Sequence, residues 1–313
     1  MIGIVGTVPD LQLPLIHGKA RLIDNHIEIK GRRIAVNRCT PALIGAALKA
    51  SECIRCPEIY AFLVGDIGKG GGSRKLYEFL TRHLHGFDFK VLTFHYLQPD
   101  VDWHNKVLFA VESMQKRPIL IADAGFMYAA KMSGQSESYD FFTPDVGELA
   151  FLADELAPHP FYTRGFILHE NNDVQELIRR AYEHQNAAKY LLVKGESDYI
   201  AYEKQVTEKV DAPSFDAMEA IGGTGDTLTG LLSVLCGADF KLTEAAVLSA
   251  RVKCWTGYYA DPTPATRVVE LIEKIPQALV KVLNEHNVTG DIHPEPKPAT
   301  ILTTVALAPR MAR

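Results

Sequence analysis

Ile59-Tyr60-Ala61-Phe62-Leu63-Val64 is apolar at every position. The chain then breaks into Gly65-Asp66-Ile67-Gly68-Lys69-Gly70-Gly71-Gly72-Ser73 and resumes as a helical pattern from Arg74. A strand without polar alternation is covered on both faces, the condition of a parallel strand sandwiched between helices. Lys90-Val91-Leu92-Thr93-Phe94, Pro118-Ile119-Leu120-Ile121-Ala122-Asp123 and Tyr190-Leu191-Leu192-Val193-Lys194 repeat the signature, with helical patterns around 104–115 and after Phe141-Phe142-Thr143. Ile34-Ala35-Val36, before a helix starting near Pro41, reads as part of the same series. Strands alternating with helices predict βαβ units and a mostly parallel sheet in an α/β fold. Ser197–Glu203 and Gln205–Val210 lie too close together for a crossover and read as a hairpin at one sheet edge. Helices follow after the glycines at 222–225 and near 243–256 and 268–284. The expected division is a short β-rich arm over 1–32, one catalytic domain over 33–285, and a tail over 286–313 containing His293-Pro294-Glu295-Pro296-Lys297-Pro298.

Apolar residues at 47% and charged residues at 23% exclude disorder over most of the 313 residues. A formal charge of −5 without a basic stripe argues against a nucleic-acid partner. No stretch reaches the roughly 20 apolar residues of a bilayer span. Met1-Ile2-Gly3-Ile4-Val5-Gly6 lacks the basic flank of a signal peptide, so the chain reads as cytoplasmic. The five cysteines include Cys53 and Cys56 without a second pair at zinc-site spacing, and read as buried reduced thiols. The 11 histidines show no metal-ligand spacing and read as surface or core polar residues. A homo-oligomer is compatible with all of this.

Chemistry concentrates in Glu219-Ala220-Ile221-Gly222-Gly223-Thr224-Gly225-Asp226-Thr227-Leu228-Thr229-Gly230. The glycines permit a tight turn, and the apolar run behind them starts a helix. Unpaired amides and the positive end of the helix then converge on one point, an anion site. A carboxylate at Asp226 repels a phosphate but suits a general base that takes a proton from a hydroxyl attacking phosphorus. The plainer alternative is an Asp N-cap on a Gly-rich turn.

Gly222–Gly230 resembles the catalytic loop of the ribokinase-like superfamily. With Leu231-Leu232-Ser233-Val234-Leu235, it is similar above all to the ADP/ATP-dependent NAD(P)H-hydrate dehydratases. The resemblance spans roughly residues 33–260 and implies a ribokinase-like three-layer α/β/α sandwich. It implies a catalytic Asp226, with the amides of Gly223, Thr224 and Gly225 as the anion hole. Leu191–Asp198 is similar to the strand whose Lys-Gly opening binds nucleotide, implying ADP or ATP contacts at Lys194, Gly195, Glu196, Ser197, Asp198 and Gly225. Leu120-Ile121-Ala122-Asp123-Ala124-Gly125 sits where the family has a strand ending in Asp-Ala-Asp. Gly45-Ala46 corresponds to a Gly-Ala pair lining the substrate pocket, and Gly65-Asp66-Ile67-Gly68 to the Gly-Pro-Gly-Leu-Gly substrate loop. The implied substrate contacts are therefore Ala46, Gly65, Gly68, Asp123, Asp145 and Asp226. The turn before Arg74 also offers a place for a phosphate.

Phe142-Thr143-Pro144-Asp145-Val146-Gly147-Glu148 sits where the family has Thr-Pro-His-Pro-Gly-Glu, so an acid replaces a histidine. Asp145-x-x-Glu148 resembles instead the Asn-x-x-Glu of sugar kinases. Two carboxylates one helical turn apart suit a water-rich Mg²⁺ site, or form a solvated acidic first turn. The implied activity is a carbon–oxygen lyase that uses ADP or ATP to repair hydrated NAD(P)H. The alternatives are an ATP-dependent kinase acting on a small alcohol or carbohydrate, and a nucleotide-binding module without turnover. The partner in each case is a small molecule, and a module without turnover has no need of the base.

Overall fold

The structure is a computed structural model that describes residues 1–155 and 173–289. The Pro-rich stretch at 293–298 lies outside them. The first elements are β1 (Ile2–Val8), β2 (Ile16–Lys19), β3 (Arg21–Ile23), β4 (His26–Ile29), β5 (Arg32–Ala35) and α1 (Thr40–Ser51). Strand–helix alternation follows: β6 (Ile59–Gly65), α2 (Gly71–His83), β7 (Val91–His95), α3 (Val101–Glu112), β8 (Ile119–Ala122), α4 (Ala124–Met132), β9 (Phe141–Phe142) and α5 (Val146–Ala153). Then come α6 (Val174–Glu183), β10 (Tyr190–Val193), the hairpin β11 (Asp198–Tyr202) and β12 (Gln205–Val210), and α7 (Ala217–Ala220). Last are α8 (Thr224–Gly237), α9 (Leu242–Ala260), α10 (Val268–Ile272) and α11 (Ile275–Thr289).

Nine strands form one sheet in the order β12-β11-β10-β9-β8-β7-β1-β6-β2. From β10 to β6 every neighbouring pair is parallel, and the antiparallel β2 and β11–β12 hairpin close the two edges. Side chains alternate across the sheet, as strand geometry requires. Ile2 and Ile4 of β1 enter a core roofed by α1, α8, α9, α10 and α11, and Val5 enters a second core under α2 to α6. This is the expected three-layer α/β/α sandwich with a mostly parallel sheet.

Residues 1–32 are not a peripheral arm. β1 is buried along its whole length, with Ile4 opposite Ala61 of β6 on one side and Thr93 of β7 on the other. Its unalternated apolar run carries the same two-sided signature as β6. Ile34 and Ala35 belong to β5 in a separate antiparallel sheet of β3, β4 and β5. There Arg32, Arg33 and Ala35 are exposed and Ile34 is buried, the alternation of a strand covered on one face. At the other end α11 continues to Thr289, past the boundary expected at 285. Among the described residues no helix is long and apolar enough to cross a membrane.

Candidate active site

In open α/β sheets, ligands bind in the crevice outside the carboxyl ends of the strands. At that edge the turn before α8 is made by Gly223, whose φ of 105° lies in the left-handed region that favours glycine. The Thr224 hydroxyl donates to the carbonyls of Met218 and Ile221 and pins the turn. Two residues on, the Asp226 carboxylate turns back over the strand ends. Its Oδ2 accepts the Cys39 N–H at 2.7 Å, and its Oδ1 lies 3.1 Å from His95 Nε2. His95 ends β7 and is fully buried, with Nδ1 3.1 Å from Thr40 Oγ1 and Nε2 3.7 Å from Asp123 Oδ2. A ring nitrogen facing two carboxylates is the donor nitrogen.

Asp123, one residue beyond β8, is the second centre. Its carboxylate caps α4 through the Ala124 N–H at 2.8 Å and accepts from Thr229 Oγ1 at 2.7 Å. Lys194 Nζ reaches both of its oxygens at 2.9 Å. Burial pushes the Asp123 carboxyl up, but the Lys194 ammonium and His95 outweigh it and hold the group below its usual range. Burial would lower Lys194, yet Asp123 and Glu148 raise it, so the buried pair is ionic.

Glu148 completes this side. Its Oε1 accepts the Tyr128 hydroxyl at 2.9 Å and its Oε2 the Asp145 N–H at 2.9 Å, while Asp145 Oδ1 accepts the Glu148 N–H at 2.7 Å. The pair is a reciprocal capping box at the start of α5. Burial pushes Glu148 up to about 8; Lys194 opposes the rise, and Asp145 and Asp123 add to it.

Three non-glycine residues around these groups have left-handed backbones: Cys39 (φ 60°), Tyr96 (φ 52°) and Ala124 (φ 49°). Such conformations cost about 1–3 kcal/mol each and cluster at functional sites. Tyr96 is 45% exposed, and burial of its hydroxyl, then the charge of Asp226, raises its pKa. Burial followed by the Asp226 charge lifts the Cys39 thiol to about 11, which leaves it protonated and a poor nucleophile.

Beside Lys194 opens a cleft of about 390 Å³, lined in part by Gly195, Glu196, Phe215, Met218, Lys253 and Cys254. Lys253 Nζ bridges Asp198 Oδ1 at 2.6 Å and the Gly195 carbonyl at 3.1 Å, and Asp198 Oδ1 also accepts the Gly195 N–H at 3.2 Å. The Lys194 side chain runs alongside Gly225, joining this cleft to the start of α8.

A family model described as carbohydrate-kinase type, NAD(P)H-hydrate dehydratase, matches residues 98–277, more than half of the chain. The chain belongs to the NAD(P)H-hydrate dehydratase family. An uncharacterized protein of Methanocaldococcus jannaschii is 42% identical over 242 residues, covering 77% of this chain and 100% of that protein. A bifunctional NAD(P)H-hydrate repair enzyme of Hyperthermus butylicus is 31% identical over 104 residues, 33% of this chain and 19% of that enzyme. A ribokinase-like superfamily protein of Enterococcus faecalis shares the fold at a TM-score of 0.51 and 16% identity, over 90% of this chain and 86% of that one. Phosphofructokinase-2 of Escherichia coli, solved with substrates and products, does so at 0.51 and 13% identity, over 90% and 99%.

Within this dehydratase-family chain, Asp226, Asp123, Lys194, Gly225, Asp145 and Glu148 gather at one edge, and Gly195 and Glu196 line the adjoining cleft. At the expected Mg²⁺ pair, each Glu148 oxygen accepts one protein donor and Glu148 is buried, while Asp145 is exposed. Among the described residues no group of three or more His, Cys, Asp or Glu is placed to hold a metal. Asp198 is fully buried, so it shapes the Gly195 loop from behind and Ser197 follows in the turn to β11. The segment matched to the dehydratase family begins at residue 98, and three of the expected substrate contacts lie before it. Ala46 is buried where α1 crosses α8 at Gly230. Gly65 is covered by the loop after β1, its N–H donating to the Leu13 carbonyl at 2.9 Å. Gly68 stands in open space in the next turn.

The phosphate place before Arg74 is already filled by the chain itself. Asp66 Oδ1 accepts the N–H of Lys69 and Gly70 at 2.9 and 3.1 Å, and Oδ2 accepts Ser73 N and Oγ at 2.8 and 3.0 Å. The residue that sequence reading missed is His95. Its signal was position: Thr93-Phe94-His95 ends a parallel strand at the edge where ligands bind.

Proposed function

We propose that this chain dehydrates hydrated NAD(P)H at the expense of ADP or ATP, with Asp226 as the general base. The observation that carries this reading is the setting of Asp226. Its carboxylate is oriented by Cys39 and His95, while the N–H groups of Gly225 and Asp226, at the positive end of α8, have no acceptor among the described residues. A base and an anion-binding helix start then serve one reacting centre. Membership of the dehydratase family supports the same reading.

The residues present fit an adenine nucleotide. Phe215 and Met218 offer apolar contact in the cleft, Gly195 and Glu196 offer polar groups, and Gly225 offers a backbone donor toward phosphates. When bound, the nucleotide supplies the phosphoryl group that makes the substrate hydroxyl a good leaving group. Asp226 accepts the proton of that hydroxyl, and the open amides of α8 offset developing negative charge. Lys194, anchored on Asp123, adds a fixed positive charge beside Gly225. Asp145 and Glu148 are the residues that would hold Mg²⁺ through water beside the nucleotide phosphates.

The test is to incubate the protein with NADH hydrate and ATP or ADP and follow the dihydronicotinamide absorbance. Recovery that needs both protein and nucleotide is expected, slowed about 10²–10⁴-fold in Asp226→Asn. No recovery with either nucleotide sinks the dehydratase reading. Nucleotide consumption with a small alcohol in place of the hydrate favours the kinase alternative.

A further inference from the structure

We infer that His95 is a positioning residue that locks the plane of the Asp226 carboxylate. The inference rests on the reading of Asp226 as the base. The terminal torsion of an aspartate is broad, so a carboxylate held by one hydrogen bond can still rotate about its Cβ–Cγ bond. Asp226 is held at both oxygens: Cys39 N–H on Oδ2 and His95 Nε2 on Oδ1. Removing either leaves the torsion free. A misplacement of about 1 Å in a reacting group can cost about 10²-fold in rate.

His95 is built to hold still. Its ring is fully buried, and Thr40 Oγ1 at 3.1 Å from Nδ1 fixes which way the ring faces. A histidine serving the core alone would be satisfied by Thr40. Here Nε2 lies between two carboxylates from other elements, 3.1 Å from Asp226 and 3.7 Å from Asp123. The imidazole therefore keeps two acids apart that would otherwise repel, and gives one of them a fixed donor. Each Asp226 oxygen retains a second lone pair, and the side chain remains 12% exposed, so orienting it does not seal it from a substrate.

The experiment compares His95→Gln with His95→Asn. The glutamine amide nitrogen reaches the place of Nε2 and can still donate to Asp226, whereas the asparagine amide ends near Nδ1 and cannot. His95→Asn should lose about 10²-fold in kcat, with KM for nucleotide and substrate held within about threefold. His95→Gln should recover to within about tenfold of the wild type. Equal losses in the two variants, or a loss carried by KM, overturn the proposal, as does an unchanged His95→Asn. Wild-type imidazole NMR adds an arm that needs neither variant to fold. A slowly exchanging Nε2–H signal that shifts in Asp226→Asn is expected, and the absence of such a signal overturns the proposal. If the wild type dehydrates nothing, the base reading fails on its own, while the NMR arm still scores the His95–Asp226 contact.

Discussion

Asp226 accepts two hydrogen bonds from donors that cannot turn away, and that sets what its replacement does. Asp226→Asn keeps one acceptor oxygen and points an NH₂ at either Cys39 N–H or His95 Nε2. One buried donor loses its partner, which costs about 1–3 kcal/mol. The melting temperature should fall by several degrees, turnover should fall about 10²–10⁴-fold, and the nucleotide-induced shift in melting temperature should survive. Loss of nucleotide affinity with turnover per bound complex intact would show that Asp226 binds rather than reacts. Glu148 makes a different prediction. Its folded pKa of about 8 stands above the reference of 4.5, so between those values the folded state holds a proton that the unfolded chain has released. Stability therefore falls as pH rises through that window. Glu148→Gln mimics the protonated form, offering an oxygen to Asp145 N–H and a donor to Tyr128. Chemical denaturation from pH 5 to 8.5 should show a flatter profile, with the variant the more stable at the alkaline end; parallel profiles would refute the shift. Asp226 was legible because its turn, its glycines and its helix are contiguous. His95 was not, because the partners that give it meaning stand at 40, 123 and 226. Asp145-x-x-Glu148 was visible as a pair, but the reciprocal capping box that joins it rests on side-chain geometry no spacing records.

The base is also a matter of how two helices meet. α1 carries Cys39 at its start and α8 carries Asp226, and they cross at Gly230. A Cβ there would lie 2.3 Å from the Leu43 carbonyl oxygen of α1. Gly230→Ala must push the helices apart, at about 1–3 kcal/mol. Because the shift moves Cys39 relative to Asp226, kcat should drop together with the melting temperature. A variant that melts earlier yet turns over normally would uncouple the crossing from the site. Elements were legible where local pattern decides: β6, β8, β10 and the β11–β12 hairpin follow from unalternated or closely spaced runs. β5 was assigned to the wrong sheet because four residues alternating around Ile34 carry no mark of which sheet covers them. The Gly-rich turn before α2 looked like a ligand loop because a carboxylate that fills its own helix start is written like one that awaits a phosphate.

For the whole molecule, everything turns on β1 lying between β6 and β7. Removing residues 1–8 would strip each neighbour of one of its two ladder partners and open both cores. The truncated chain should lack a cooperative thermal transition; a normal transition would restore the idea of a dispensable arm. The three layers could be read from alternation alone, but strand order could not, since β1 carries the same apolar signature whether it lies at an edge or in the middle. That order also shapes how the protein comes into being. On the ribosome β1 emerges before both of its neighbours, and its seven buried residues have no partner until β6 and then β7, ending at His95, have been made. At about 5–20 residues per second that is a wait of about 5–20 s. A strand buried along its whole length in the finished protein thus stays long exposed during synthesis, and Ile2–Val8 is where a nascent-chain chaperone should be found bound.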